Sequence, residues 1–146
     1  VLVFALFSGV QFTWWVLLVP LGIIQLYAIA MGLAFILSAL YVKFRDIGHI
    51  WDVILQAMFY ATPIIYPISM VVNNHPEIAK IIMLSPVTQS IQDIRHNLIS
   101  PSTVPTTWGM IDNWLIAIIP VIITVALLII GIVYFNKNSK KFAEDL

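Results

Sequence analysis

The apolar positions of the chain gather into four blocks separated by short polar stretches. The first, residues 1–10, falls short of the ~20 residues that a membrane crossing takes, and is expected to be part of a span that begins upstream. The second, Trp14 to Val42, holds 29 residues without a charge and predicts one tilted span over about 16–42. The third, Ile47 to Ile68, admits His49, Asp52 and Gln56 and predicts a span over 47–68. The fourth, Trp114 to Phe135, has 22 residues, which at ~1.5 Å each give ~33 Å, one bilayer core. It predicts a span over 113–135, followed by a polar tail, 136–146.

Between the last two blocks, residues 69–112 read as two short helices. Pro76 suits the first position of a helix running to Leu84, with Asn74 or His75 as its cap and Glu77 in its first turn. Ser85-Pro86 opens a second by the same logic. There Val87, Ile91, Ile94 and Leu98 share one face, while Gln92, Asp93, Arg95 and His96 crowd the other. Pro101 to Thr107 reads as a loop. Neither helix is long enough to span. They either re-enter the bundle or cap it.

Composition then fixes the class. Hydrophobic residues make up 61% and charged residues 10%, against the ~45–50% and ~25% of soluble domains. The expected fold is an all-α polytopic membrane helix bundle over the whole chain, 1–146. Seven basic and seven acidic residues cancel, leaving no basic excess to hold nucleic acid. There is no cysteine, so thiolate sites and disulfides are excluded. Lys43, Arg45, Lys137, Lys140 and Lys141 flank two ends, whereas the 69–113 segment carries only Lys80 and Arg95. The positive-inside rule therefore puts the Lys43–Arg45 turn and the C-terminus in the cytoplasm. All five tryptophans sit near block edges, as aromatic rings do at headgroup level.

The search for chemistry gives little that is catalytic. No Gly-rich P-loop, Gly-x-Ser-x-Gly elbow or His-Glu-x-x-His pair is present. His75, Glu77, Asp93 and His96 match no metal-ligand spacing, and no metal or cofactor is expected on this chain. The third block is more informative. On a helix, His49, Asp52, Gln56, Phe59, Pro63 and Tyr66 step along one face, widened by Tyr60 and Pro67. Polar groups in a membrane helix usually face a bundle interior or a wet cavity. A stripe grading from polar to aromatic suits a sugar, whose hydroxyls exchange hydrogen bonds and whose C–H faces stack on rings. It suits a protein–protein packing face equally. Pro63 and Pro67 would bend or end the helix, making a hinge or gate. Asp46 is expected to cap the third helix, and Arg45 to anchor the cytoplasmic turn.

The stretch Tyr41-Val-Lys-Phe-Arg-Asp-Ile-Gly-His-Ile50, followed by Phe59-Tyr-Ala-Thr-Pro-Ile-Ile-Tyr-Pro67, resembles the permease subunit of bacterial polysaccharide exporters, which are type-2 ATP-binding-cassette transporters. Ser85-Pro86 stands where that family often has Asn-Pro, Arg95 where it commonly carries an arginine, and the tail from Tyr134 to Ala143 is similar to its aromatic-basic ending. The resemblance implies a six-span permease of which this chain is roughly the C-terminal half. It implies a permease homodimer in the bacterial cytoplasmic membrane, paired with separate ATPase subunits that hold ATP and Mg²⁺. The implied cargo is a polyprenyl-pyrophosphate-linked glycan of O-antigen, teichoic acid, capsule or rhamnan type. The expected conduit-lining residues are Gln56, Phe59, Tyr60 and Tyr66. The expected hinge and gate residues are Pro63, Pro67, Ser85, Pro86 and Arg95, and the cytoplasmic coupling or anchoring residues are Arg45, Asp46 and His49. The alternatives are a type-2 permease for a drug or lipid cargo, or a membrane-embedded glycosyl- or acyltransferase.

Overall fold

The structure, a computed structural model, describes residues 14–44, 46–99 and 103–139. The expected partial span 1–10, Arg45, Pro101 and the basic tail beyond Ser139 lie outside the described residues. Those described are helical, with no strand among them.

A 3-10 turn, Trp14–Leu18, leads into α1, Val19–Lys43. Pro20 stands in its first turn, where a missing N–H leaves no bond unmade. Near the other end of the chain, α7 (Trp114–Ala117) runs through a brief irregularity at Ile118 into α8 (Ile119–Ser139). The Asn113 side chain caps α7 by accepting from the Leu115 N–H at 3.0 Å. Trp14–Lys43 and Trp114–Ser139, 30 and 26 residues, are the two helical stretches among those described that are long and apolar enough to cross a membrane.

These two stretches pack side by side and run parallel. Gln25 meets Thr124, Gly32 meets Leu127 and Gly131, and the Phe35 and Phe135 rings meet at a tilt of 50° with centroids 5.4 Å apart. Both chain positions rise together along the interface, so Lys43 and Lys137 emerge at the same end. The close approach depends on glycine. A Cβ on Gly131 would collide with the Gly32 carbonyl oxygen, and one on Gly32 would lie 2.9 Å from the Leu127 carbonyl oxygen. Small residues at such a crossing let membrane helices gain backbone-to-backbone dispersion.

Because the two long helices are parallel, residues 44–113 must carry the chain back from one end to the other. The first leg, α2 (Ile47–Ala61), has 15 residues, about 22 Å at ~1.5 Å per residue. The continuous 47–68 span expected from hydropathy is therefore interrupted. The cause is Pro63: a residue before proline is driven out of the α region, and Thr62 sits at φ −86°, ψ 135°. After an irregular stretch, α3 (Ile68–Asn74), α4 (Pro76–Met83) and α5 (Pro86–Leu98) follow, then the short α6 (Thr107–Met110). The bounds of α4 and α5 agree with the two short helices expected from sequence. His75 takes the cap position of α4 without a side-chain cap bond.

α5 packs against the first half of α1, antiparallel to it. Gln89 is level with Gln25, and Ile94 with Gly22, where an added Cβ would lie 2.6 Å from Ile94 Cγ1. α5 buries polar side chains and covers its apolar stripe only in part. Thr88, Gln89, Ser90 and Gln92 are buried, and Val87, Ile91, Ile94 and Leu98 are half-buried. In a bundle whose exterior is apolar, polar groups gain by turning to one another.

Candidate functional site

The break after α2 brings two of the expected hinge and gate residues, Pro63 and Arg95, into contact. α2 ends when Thr62 N–H bonds the Met58 carbonyl at 2.9 Å, leaving the next carbonyls without helical partners. Two side chains supply them. The Tyr66 hydroxyl folds back to lie 3.4 Å from the carbonyl oxygens of both Tyr60 and Ala61. Arg95, on the last turn of α5, donates from Nη1 to the Pro63 carbonyl at 2.7 Å and from Nη2 to the Ile64 carbonyl at 2.8 Å. A guanidinium presents parallel donors in a fixed fork, so it can hold two successive carbonyls where an ammonium would hold one. Its charge also lies beyond the negative end of the α2 dipole. Thr62 and Pro63 beneath it are buried.

Both bonds of Arg95 leave its own helix and bypass its neighbours Gln92 and Asp93. It reaches across to another element. Pro67 stands at the cap position of α3, and Ser85 at that of α5 with extended backbone, φ −70°, ψ 128°, and Pro86 following. Both prolines thus open helices instead of bending them.

The conduit candidates divide. Tyr60 and Tyr66 join the break, and the Phe59 and Tyr60 rings meet edge to face with centroids 5.7 Å apart. Gln56 lies further down α2, exposed, and α2 buries none of its residues within this chain. The stripe is therefore not one helical face: His49, Asp52, Gln56 and Phe59 share α2, but Pro63 and Tyr66 lie beyond its end. At the opposite end of α2, Asp46 holds the cap position without capping. Its backbone is helical, φ −83°, ψ −4°, whereas a capping side chain needs extended backbone to reach the free N–H groups. His49 is exposed beside a notch of about 220 Å³ formed with Tyr41, Gly48, Trp51 and Asp52.

Sequence reasoning missed the polar core behind the break. Gln25 Nε2 donates to Gln89 Oε1 at 3.0 Å and lies 3.4 Å from Thr124 Oγ1. Gln89 Nε2 in turn donates to the Ala117 carbonyl at 3.2 Å, and the Thr124 hydroxyl to the Pro120 carbonyl at 2.9 Å. This chain of bonds ties α5 to both long helices. The available signal was that Gln25 and Thr124 are isolated polar residues in otherwise apolar blocks.

On its other side α5 meets α6. Trp108 Nε1 donates to Asp93 Oδ2 at 3.3 Å, and His96 Nδ1 lies 2.7 Å from the Val104 carbonyl, which fixes the hydrogen on Nδ1. Asp93 Oδ1 is buried without a hydrogen-bond partner. Burial pushes the Asp93 carboxyl up to about 6, against the lowering effects of the Trp108 hydrogen bond and the nearby His96. Among the described residues no three His, Cys, Asp or Glu side chains converge as a metal site would require.

A broken helix clamped from a short neighbouring hairpin, beside two parallel membrane-length helices, defines an all-α membrane helix bundle. The chain belongs to the ABC-2 type transporter family, whose model matches residues 1–99. It is 37% identical over 73 residues to the O-antigen export system permease protein RfbA of Myxococcus xanthus. That match covers 50% of this chain and 27% of the relative's length. No solved structure matches the chain.

Proposed function

We propose that this chain is part of the permease subunit of an ATP-driven exporter that moves a lipid-linked polysaccharide across the bacterial cytoplasmic membrane. The cargo class, O-antigen, teichoic acid, capsule or rhamnan, rests on the similarity to an O-antigen export permease. In this reading two permease copies form the conduit, and ATP and Mg²⁺ bind partner ATPase subunits, with no cofactor on this chain. The Lys43 and Lys137 ends face the cytoplasm. Their emergence on one side of the parallel pair supports that topology, because both clusters then obey the positive-inside rule together. The notch at Tyr41, His49 and Asp52 would lie on the ATPase side.

The observation that carries the mechanism is the clamp from Arg95 to the Pro63 and Ile64 carbonyls. It couples the short α4–α5 hairpin to the point where α2 is broken. Movement of the hairpin and tilting of α2 then become one event, as a gate requires. The exposed Gln56, Phe59 and Tyr60 are presented by the helix that tilts, and their rings and amide suit a passing sugar chain.

The test uses the complete reading frame. Gln56→Leu and Tyr66→Ala should each lower polysaccharide export at unchanged permease levels, and a P-loop ATPase should co-purify in stoichiometric amount. Unchanged export in both variants would make the aromatic surface a packing face. A pure permease without an ATPase, in detergent that preserves other membrane complexes, would instead favour a membrane-embedded transferase.

A further inference from the structure

Two polar side chains buried by α5 are bonded, each by a recognisable route. Gln89 uses both ends of its amide, on Gln25 and on the Ala117 carbonyl. The Ser90 hydroxyl bonds the carbonyl four residues back, that of Pro86, at 2.8 Å. Among the described residues, the buried polar atoms without a hydrogen-bond partner are Thr88 Oγ1, Gln92 Nε2 and Asp93 Oδ1. Asp93 belongs with Trp108 on the α6 side. The other two form a separate set. Thr88, Gln92 and Arg95 stand four and then three residues apart, so they share one face of α5. Arg95 shows where that face points, because it grips the Pro63 and Ile64 carbonyls.

For Thr88 the cause is local. It is the third residue of α5, and the residue four back, Leu84, precedes the helix. The route open to Ser90 is therefore closed to it. Thr88 and Gln92 are each 1% exposed, and their unpartnered atoms are closed even to a water-sized sphere. Neither solvent, nor lipid, nor a partner subunit reaches them while α5 lies against the break. Each group has left water without gaining a partner, at a cost of the same order as a hydrogen bond to a charged group. The two bonds that Arg95 donates to the break are of that charged kind. On one helical face, two bonds that favour contact with the break are thus set against two groups that favour leaving it.

We propose that Thr88 and Gln92 are positioning residues that offset the Arg95 clamp and keep α5 poised to leave the break. The proposal deepens the gate reading given above and rests on it. On release both groups gain partners, from water or from the hydroxyls of a passing glycan, while Arg95 gives up its two carbonyls. Opposed terms of similar size leave an equilibrium that a modest force can shift, whereas the clamp alone would fix the helix in place.

The experiment reads release directly and needs neither cargo nor ATP. Thr62 lies at the break, 4% exposed, and this chain has no cysteine. Thr62→Cys in the full-length permease, with any cysteine elsewhere replaced by alanine, gives a thiol that a small maleimide reaches when α5 moves away. Against that background Thr88→Val and Gln92→Leu, which keep the size and remove the unpartnered atom, should each slow labelling in detergent about tenfold, and Arg95→Ala should speed it about tenfold. Arg95→Ala joined to Gln92→Leu should return close to the native rate, which a residue that only packs would not achieve. The midpoint of thermal unfolding should rise in Thr88→Val and in Gln92→Leu. Faster labelling or a lower midpoint in either would mean that its polar group has a partner in the fold. Unchanged rates there, or no acceleration in Arg95→Ala, would mean that this face does not govern release. Each of these results would overturn the proposal. Because no cargo is present, a failure of the polysaccharide reading would leave the rates as expected, so the two can be told apart.

Discussion

Arg95 and Pro63 lie 32 residues apart in the chain and meet at 2.7 Å, Nη1 to carbonyl oxygen. The relationship is reciprocal in its physical origin. Pro63 stops α2 and so frees carbonyls that a helix would have used, and Arg95 is held in place because those carbonyls are free. Neither residue explains its position alone. A proline in a span reads as a kink and an arginine in a short outer helix as a surface charge.

The clamp predicts a graded response to substitution. Arg95→Ala abandons two carbonyls at a partly buried break and should cost about 1–3 kcal/mol. Arg95→Lys can restore one bond at a time and should fall between. Thermal unfolding of the full-length protein in detergent gives the stability order, and export at matched protein levels gives the functional one. If Arg95→Lys matched the native protein in both, the two-carbonyl grip would be irrelevant.

The crossing of α1 and α8 predicts a sharper effect from a single methyl group. Gly131→Ala places a Cβ against the Gly32 carbonyl oxygen, and backbone cannot yield as a side-chain tip can. Overpacking of this kind costs about 1–3 kcal/mol. Gly109→Ala is the natural control. Its Cβ would meet Thr106 Oγ1 at 3.4 Å, an ordinary contact, so its midpoint of unfolding should barely move. Equal shifts would mean that the parallel pair is looser than its geometry.

How far these features were legible differs with their physical origin. The two long helices and the bounds of α4 and α5 followed from local signals: uncharged apolar runs, and Pro76 and Pro86 at helix starts. Pro63 and Pro67 announced an interruption, but hydropathy alone carried the third block through it to Ile68. Which face of α5 turns inward was not legible, because helical periodicity locates two faces without ranking them. That depends on whether the surroundings are water or hydrocarbon. Arg95 was singled out by the family resemblance, but its partners are backbone carbonyls, which have no sequence signature. Asp46 shows the converse: residue type suggested a cap, and its helical backbone denied it the geometry.

The polar core predicts non-additivity. Gln89→Leu removes the acceptor of Gln25 and the donor to the Ala117 carbonyl, and should cost about 1–2 kcal/mol within the bundle. Gln25→Leu should cost a similar amount. Combining them replaces both partners with apolar groups of similar size, so the double variant should be destabilised by less than the sum of the two. Unfolding in detergent of the four proteins of this cycle supplies the coupling. Strict additivity would show that the amides do not interact in solution.

Asp93 predicts how stability changes with pH. Burial raises its folded carboxyl to about 6 from an ordinary 3.8, which outweighs the hydrogen bond from Trp108 and the charge of His96. His96 is the titratable neighbour that acts on it. Between these two values the folded protein binds the proton and the unfolded chain does not. The contribution of this group to stability therefore falls as pH rises from about 4 to about 6 and stays low above that. Asp93→Asn cannot ionise and escapes the loss. At pH 7 it should be more stable than the native protein by about 1–2 kcal/mol, a value reduced from the full linkage because the site is only half-buried. The difference should close at pH 4. Measuring both proteins across that range, in detergent, isolates Asp93 from every other titration the two share. A difference that widened on acidification would mean that the carboxylate has a cationic partner in the fold, with the opposite sign of linkage.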